Sequence, residues 1–381
     1  MLARLLPRIF ALLRRVRPIV SLRRYALVTR HADVREVLAD HHAFTVARYA
    51  PTMEAITGPF ILGLDETPLY RHDDAALRAA VRPGDLDRIG EAMLAAARER
   101  VARRGELDVV GDLVDPCVND VMSAYLGTPG PDTTTQVRWA KSLFRDIFLN
   151  VPTKASVHQR ALADAAEMRP HVDRLIGQRK AALTAGDDVP DDLLTRLLRD
   201  GTLHDIAIRH NLIGLITGWI PTVSKSFPLA LDELLDRPAE LAGAQQAARA
   251  GDRERVGAYV FEAMRFRPQA SGLLRVCAAD RVVAAGTRRA TTIRAGATVL
   301  VATHAAMFDS AAVDGPERFR IDRPWKDYLH FGHGLHECWG LAINRAQLPA
   351  LATALLERPQ LRRVGKLRTD GPYPTSLRVA L

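Results

Sequence analysis

One cysteine lies in a short segment that is rich in glycine and histidine. The segment HFGHGLHECWG covers residues 330–340 and contains Cys338, with glycines at positions 332, 334 and 340. A thiolate is a nucleophile and a metal ligand, and glycine lets the backbone turn tightly and approach a flat ligand. Amide N–H groups near the sulfur and a helix that begins directly after it would stabilise the thiolate. Because the chain has no CxxC pair and no Cys/His zinc spacing, the segment is wrong for structural zinc and suits a haem iron held from one side.

Two shorter motifs precede this cysteine segment. In FEAMRFRP, Glu262 and Arg265 are three residues apart, so on a helix they share a face and can pair. GPERF covers residues 315–319 and contains Arg318. Each motif alone is weak, since most such pairs are ordinary surface contacts. The order of the three motifs and their separations make the combination specific.

Composition and charge limit the class of protein. The 381 residues are 48% hydrophobic and 25% charged, enough for a large buried core and too polar for a membrane protein. The formal net charge is +9, which favours an acidic protein partner. Outside the N-terminus no long basic run with interleaved aromatic residues occurs, so nucleic acid binding is not predicted. Three cysteines favour a reducing cytoplasm over a disulfide framework, and we interpret Cys117 and Cys277 as core residues.

Hydrophobic periodicity predicts a mainly α chain with small β-sheets, organised as a single domain. A β-like run followed by a helix is predicted over residues 25–44, and a long loop over 45–68. After that loop, residues 69–235 are predicted to be mostly helical, with breaks at 126–135 and 185–192. Within and just beyond this stretch, residues 206–236 are predicted to form one very long helix that two prolines interrupt. Two further helices are predicted over 252–267 and 341–356. Short strands are predicted over 288–302.

Residues 1–24 form a basic amphipathic segment ahead of the predicted domain over 25–381. Apolar side chains can share one helical face with arginines between them, at Leu2, Leu5, Leu6, Ile9, Leu12, Leu13 and Val16. The apolar runs are too short to span a bilayer, and no signal-peptide cleavage site follows them. Two interpretations stay open, a helix docked on the protein body and a helix that contacts a membrane surface or a partner protein.

Together the three motifs resemble those of the cytochrome P450 family, the haem-thiolate oxygenases, over about residues 25–381. FGHGLHECWG resembles the family's FxxGxxxCxG loop, Glu262 and Arg265 its ExxR pair, and GPERF its PERF-type segment. The resemblance implies the single-domain cytochrome P450 fold and haem b, with Cys338 as the proximal ligand. It implies a structural cluster of Glu262, Arg265 and Arg318. The remaining cofactor-binding residues that it implies are Phe331, Gly332 and Gly340 in the loop, and His336 and Arg275 at the haem propionates.

The long helix departs from the family at the oxygen side of the haem. The family usually carries (A/G)Gx(D/E)T there, and this chain has TGWIPTVSKS over residues 217–226. If Thr222 is the family's threonine, Pro221 replaces the acid, and the next acid downstream is Asp232. An acid and an alcohol normally relay the two protons that oxygen activation needs. We predict that Thr222 lines the oxygen pocket, and that Pro221 marks either a changed proton route or only a helix kink.

A second departure concerns the haem propionates. The family commonly has a His and an Arg where this chain has Tyr70 and Asp74. An Asp would repel a propionate, so we predict that Arg78 or His72 makes the contact and that Tyr70 donates a hydrogen bond.

By resemblance, the substrate pocket is apolar, as most small-molecule sites are. The predicted lining residues are Phe60, Ile61, Leu62, Gly218, Trp219, Leu273 and Leu274. We predict a haem-thiolate monooxygenase that oxidises a hydrophobic small molecule, such as a secondary metabolite. Since the chain has no flavin or iron–sulfur motif, its electrons would come from a separate ferredoxin and ferredoxin reductase.

Two alternatives stay open. The missing acid is compatible with a peroxide-dependent peroxygenase or a lipid hydroperoxide isomerase. A more remote alternative is a non-catalytic relative that binds haem or another ligand.

Overall fold

The computed structural model describes residues 2–102, 104–151 and 153–381, with side chains from residue 9 onwards. The helices are α1 (Leu2–Val16), α2 (His31–Ala39), α3 (Ala50–Ile56), α4 (Pro68–Ala80), α5 (Asp85–Ala102), α6 (Asp115–Leu126), α7 (Thr133–Phe144), α8 (Ala155–Ala185), α9 (Leu193–Asp200), α10 (Asp205–Leu235), α11 (Pro238–Arg249), α12 (Arg253–Phe266), α13 (Thr303–Ala306) and α14 (Leu341–Leu356). The strands are β1 (Ile19–Ser21), β2 (Tyr25–Val28), β3 (Phe44–Thr45), β4 (Glu106–Asp108), β5 (Leu273–Cys277), β6 (Arg281–Val283), β7 (Thr291–Ile293), β8 (Thr298–Val301), β9 (Arg362–Arg363), β10 (Arg368–Asp370), β11 (Tyr373–Ser376) and β12 (Arg378–Ala380). The predicted mainly α chain with small β-sheets is therefore confirmed.

One compact unit comprises Met1–Arg48 and Phe261–Leu341. Its main sheet has the strand order β1-β2-β8-β5-β3, in which only β2 and β8 run parallel. Alternate residues of these short strands are buried, as in β8, where Val299 and Val301 are fully buried. Cys277 lies in the same apolar core. This unit carries the cysteine segment and both motifs that precede it.

Helix α1 docks on this unit through one face. Phe10 is buried against Ala302 and Ala305, and the Arg14 guanidinium donates to the Ala305 carbonyl at 2.8 Å. The side chains of Leu2, Leu5 and Leu6, which the sequence assigned to the apolar face, lie outside the described residues. No helix among the described residues is long and apolar enough to cross a bilayer.

The second unit comprises Tyr49–Val260 and Ala342–Leu381 and is mainly helical. Helix α10 is almost wholly buried over its 31 residues and packs against α6, α7 and α8. The His204 side chain caps its first turn by accepting from the Ala207 amide. Two small sheets, β4-β12-β9 and β10-β11, complete the unit, and Cys117 is fully buried in it.

Two features of the second unit differ from the predictions. Residues 45–68 contain helix α3 and a 3-10 turn over Ile61–Gly63, where a continuous loop was predicted. Helix α10 also continues through Pro221 and Pro228, so the predicted interruption is wrong. A proline removes only one hydrogen bond from its helix, and burial on nearly every side holds the rest of α10 together.

Candidate functional site

The cysteine segment folds as a tight loop that ends where α14 begins. The Cys338 amide donates to the Phe331 carbonyl at 2.8 Å and closes the loop. Gly332 and Gly334 adopt φ values of +78° and +77°, which favour glycine. A Cβ on Gly334 would also lie 2.6 Å from the Leu38 carbonyl oxygen of α2. Backbone packing therefore fixes the loop and the position of Cys338.

The surroundings of Cys338 suit a single thiolate ligand. Burial raises the pKa of its thiol to about 11, while the Gly340 amide, which donates to the sulfur, acts in the opposite direction. Among the described residues, no group of three convergent His, Cys, Asp or Glu side chains includes Cys338. That amide and the N-terminus of α14 would both stabilise the negative charge of a thiolate at this position. These features fit the haem that the resemblance implies, with the iron supplying the charge that stabilises the thiolate.

Arg275 and His336 come together in the same unit. The Arg275 side chain is buried on β5, and one guanidinium N–H donates to the Leu274 carbonyl at 2.9 Å. Burial and, to a smaller extent, the charges of Arg275 and His41 together lower the pKa of His336 to about 4. A buried guanidinium next to an imidazole can bind an anionic group such as a propionate.

Glu262 and Arg265 form a fully buried ion pair on α12. Two hydrogen bonds of 2.7 and 2.9 Å join them, and Arg265 also donates to the carbonyl oxygens of Pro316 and Arg318. Burial alone would raise the pKa of Glu262, but the hydrogen bonds and charge of Arg265 outweigh it and leave that pKa lowered. The pair ties α12 to the GPERF segment.

The third member of this cluster is Arg323, and the prediction for Arg318 is wrong. Arg323 is buried and donates to Glu262 at 3.1 Å. The Arg318 side chain is exposed, and only its carbonyl takes part, accepting from Arg265 and Arg323. Tyr328 adds a hydrogen bond to Glu262 at 3.1 Å, and burial raises its pKa.

In the second unit, polar contacts of α10 surround Pro221. Because proline has no N–H, the carbonyl of residue 217 loses its helical donor. The Tyr373 hydroxyl of β11 donates to the Pro221 carbonyl at 2.6 Å. The Thr222 hydroxyl contacts the carbonyl oxygens of Gly218 and Trp219 at 2.7 and 3.0 Å, so its proton stays within its own helix. Its oxygen can still accept a hydrogen bond from another donor.

One stripe of α10 borders open space. From residue 211 to residue 230 only Gly218, Thr222 and Leu229 are not buried, and they share one helical face. A Cβ on Gly218 would meet no atom within 4 Å. One turn earlier, a Cβ on Gly214 would lie 2.4 Å from the ring of Phe60. The structure therefore brings Phe60 next to the stripe with Gly218 and Thr222.

The other predicted pocket residues differ in their environments. The prediction that Trp219 lines the pocket is corrected by its contacts. Its indole N–H donates to Gln347 at 2.8 Å and its ring packs against Tyr125, away from the open stripe. Ile61 is buried and Leu62 half-buried beside Phe60. In the other unit, Leu273 and Leu274 are half-buried on β5, and Leu273 lies beside Gly332 of the cysteine loop.

The predicted propionate contacts on α4 already have partners within that helix. Arg78 is exposed and pairs with Asp74 at 2.7 Å, and exposed His72 pairs with Asp73 at 3.1 Å. Tyr70 is buried, and burial followed by the Asp74 charge raises its pKa. Of the three predicted contacts on α4, only Tyr70 is buried.

Sequence reasoning missed Lys225. It follows Thr222 by one helical turn, lies on the open stripe and is only 4% exposed. Burial lowers its pKa to about 8. The signal in the sequence was a lysine at the centre of an apolar helix, in a chain that has only six lysines.

Comparisons with known proteins agree on one family. The Cytochrome P450 family model matches residues 86–362. Cyclomarin C epoxidase CymV of Salinispora arenicola (strain CNS-205) is 29% identical over 349 residues, which cover 86% of this chain and 82% of that protein. Nocardicin C N-oxygenase of Nocardia uniformis subsp. tsuyamanensis is 28% identical over 353 residues, which cover 88% of this chain and 82% of that protein. The crystal structure of CalO2 matches with a TM-score of 0.84 and 25% identity over 99% of this chain and 96% of that one, which confirms the predicted fold.

Proposed function

The chain belongs to the cytochrome P450 family of haem-thiolate monooxygenases, and from this premise we propose that it oxidises a hydrophobic small molecule with O2 and electrons from a separate protein. The observation that carries the proposal is Cys338, a lone cysteine held in a closed loop with an amide directed at its sulfur. Bound haem supplies the oxygen chemistry.

We propose that the cofactor is haem b and that the chain binds it through few groups. Cys338 would hold the iron, with Phe331, Gly332 and Gly340 shaping the loop around it. Arg275 and His336 would bind propionate oxygens, and Tyr70 would donate a further hydrogen bond. The cluster of Glu262, Arg265 and Arg323 acts at a distance by fixing the segment that precedes the loop.

The proposed substrate is an apolar molecule of the secondary-metabolite type. Phe60 beside the open stripe of α10 supports an apolar binding surface, and half-buried Leu273 and Leu274 fit the same chemistry. Relatives whose names refer to cyclomarin C and nocardicin C support the substrate class.

The proposed electron donor is a ferredoxin reduced by its own reductase, in the cytoplasm. A net charge of +9 favours docking of an acidic donor. All three cysteines are free, which fits a reducing compartment.

The N-terminal segment is proposed to contact anionic lipid head groups. Ile9, Leu12 and Val16 are 48%, 60% and 69% exposed, next to exposed Arg15 and Arg17. The first 32 residues contain no acidic residue. Exposed apolar side chains flanked by arginine match the chemistry of an interfacial helix.

The second candidate function is oxidation by a peroxide without any electron donor. The specific observation in its favour is that the open stripe of α10 carries no carboxylate, and that buried Pro221, next to Thr222, stands where the resemblance places the family's acid. Asp232, the next acid, pairs with Arg363 at 2.6 Å.

One experiment separates the two functions. Purified ferric protein is given hydrogen peroxide or a panel of lipid hydroperoxides without a donor, and in parallel O2 with a ferredoxin, its reductase and NADPH. A panel of apolar compounds is present in the O2 assay, and Cys338→Ala is the control. We expect product only with the donor system. Rapid, Cys338-dependent conversion of one hydroperoxide without a donor would overturn the monooxygenase proposal.

A further inference from the structure

Lys225 is a buried cation that has none of the roles proposed above for the haem site. Its side chain is 4% exposed at the middle of α10. Among the described residues, no carboxylate pairs with its ammonium and no acceptor hydrogen-bonds to it. A lysine is almost never fully buried unless it is paired, so a lone one needs a functional explanation.

The position of Lys225 on α10 identifies what it faces. Residues 218, 222, 225 and 229 follow one another at intervals of four, three and four, so they form one stripe along the helix. Gly218, Thr222 and Leu229 are the members of this stripe that border open space. Lys225 therefore lies one turn from Thr222, on the face that the resemblance assigns to the oxygen side.

The charged groups around α10 contact other parts of the helix. Asp115 of α6 accepts from Ser224 at 2.5 Å and pairs with Lys141 of α7. Tyr373 of β11 contacts the Pro221 carbonyl. None of these groups contributes to the pKa of Lys225, which burial alone lowers to about 8. A lysine with that pKa is protonated at neutral pH and gives up its proton far more easily than an exposed one.

We propose that Lys225 is the proton donor of the oxygen pocket, in the role that the family gives to the acid replaced here by Pro221. The inference rests on the proposed function. In the step, an N–H bond of the ammonium breaks, an O–H bond forms on the oxidant, and the electron pair of the broken bond stays on the nitrogen. The neutral amine then recovers a proton from water. The Thr222 oxygen, whose own proton is held by its helix, can accept a hydrogen bond from the ammonium and hold it in place.

The first test reads the charge without turnover. Carbon monoxide is bound to the reduced, haem-loaded enzyme, and its C–O stretching frequency is followed from pH 6 to about pH 10, a range that brackets the lowered pKa. A cation facing the bound CO lowers this frequency, so we expect it to rise as Lys225 loses its proton. Lys225→Met should give the high frequency at every pH, and Lys225→Arg the low one. Lys180→Met, at an exposed lysine paired with Asp205, should titrate like the unaltered enzyme.

The second test reads the proton transfer with hydrogen peroxide as the probe. Lys225→Met should slow peroxide consumption by the ferric enzyme by about 100-fold, the usual contribution of a general acid. Lys225→Arg should be equally slow, since arginine keeps its proton. Stretching frequencies or peroxide rates in Lys225→Met that match the unaltered enzyme would overturn the proposal. If the reduced enzyme lacks the red-shifted carbonyl band of a thiolate-bound haem, the proposed function itself fails, and this inference fails with it.

Discussion

Replacing Lys225 by methionine should stabilise the protein. The lowered pKa means that burial disfavours the charged form, and the fall from 10.5 to about 8 corresponds to about 3 kcal/mol at 1.36 kcal/mol per pKa unit. Methionine has a similar length and no charge to desolvate. The free energy of unfolding at pH 7 should therefore rise by about 3 kcal/mol in Lys225→Met, a large fraction of the stability of an ordinary domain.

The pH dependence of this gain gives the sharper check. Between pH 8 and pH 10.5 the unfolded chain binds the lysine proton and the native protein does not, so native stability rises with pH in that window. The advantage of Lys225→Met should be complete below pH 8 and vanish as the pH approaches 10.5. Urea unfolding of the haem-loaded protein at pH 7, 9 and 10.5 measures it. Lys180→Met should change stability by no more than about 0.5 kcal/mol. An equal or lower stability of Lys225→Met at pH 7 would refute the claim that the ammonium is desolvated.

Three further predictions follow from packing and charge. Arg323→Ala should lower the free energy of unfolding by about 3 kcal/mol, because it removes a buried partner of a carboxylate, whereas Arg318→Ala should change it by less than about 0.5 kcal/mol in the same urea titration. Gly214→Ala should lower the free energy of unfolding by about 1–3 kcal/mol, because the added methyl group would clash with the Phe60 ring. Gly218→Ala should keep or raise that free energy, and should alter the change in the haem absorption spectrum that apolar ligands cause. Leu12→Glu should lower the affinity for anionic vesicles, measured by co-sedimentation, about tenfold, since burying one leucine contributes about 1.5–3 kcal/mol. Vesicles of zwitterionic lipid should bind neither form. Equal binding of both forms to anionic vesicles would contradict this prediction.

Long periodic elements and local motifs were predictable from the sequence. Helix α14 begins and ends where its apolar pattern does, and Glu262 and Arg265 pair as their spacing indicates. Both depend on residues close together in the chain, where helical geometry decides which side chains meet. Helix α3 was missed because a seven-residue helix with a proline near its start carries little periodic signal.

Tertiary contacts account for the errors at the site. Arg318 lies in the recognisable motif, but the chain turns after it, so the guanidinium that reaches Glu262 comes from Arg323. Trp219 was assigned to the pocket by position, and a partner 128 residues away, Gln347, holds it elsewhere. The sequence marks Lys225 only as a lysine within an apolar helix, and the burial of α10 on nearly every side is what removes its charge from water. Contacts between distant segments cannot be read from spacing within either segment.

The hydrogen bond from Tyr373 to Pro221 also constrains the order of assembly. The two residues are 152 positions apart in the chain. During synthesis α10 leaves the ribosome long before its partner in β11 exists, and contacts of such long range form late. The hydrogen bond from Tyr373 to the Pro221 carbonyl is therefore one of the last contacts of this helix to form. A nascent chain can form most of the helical unit and still lack this contact of α10 until β11 has been synthesised.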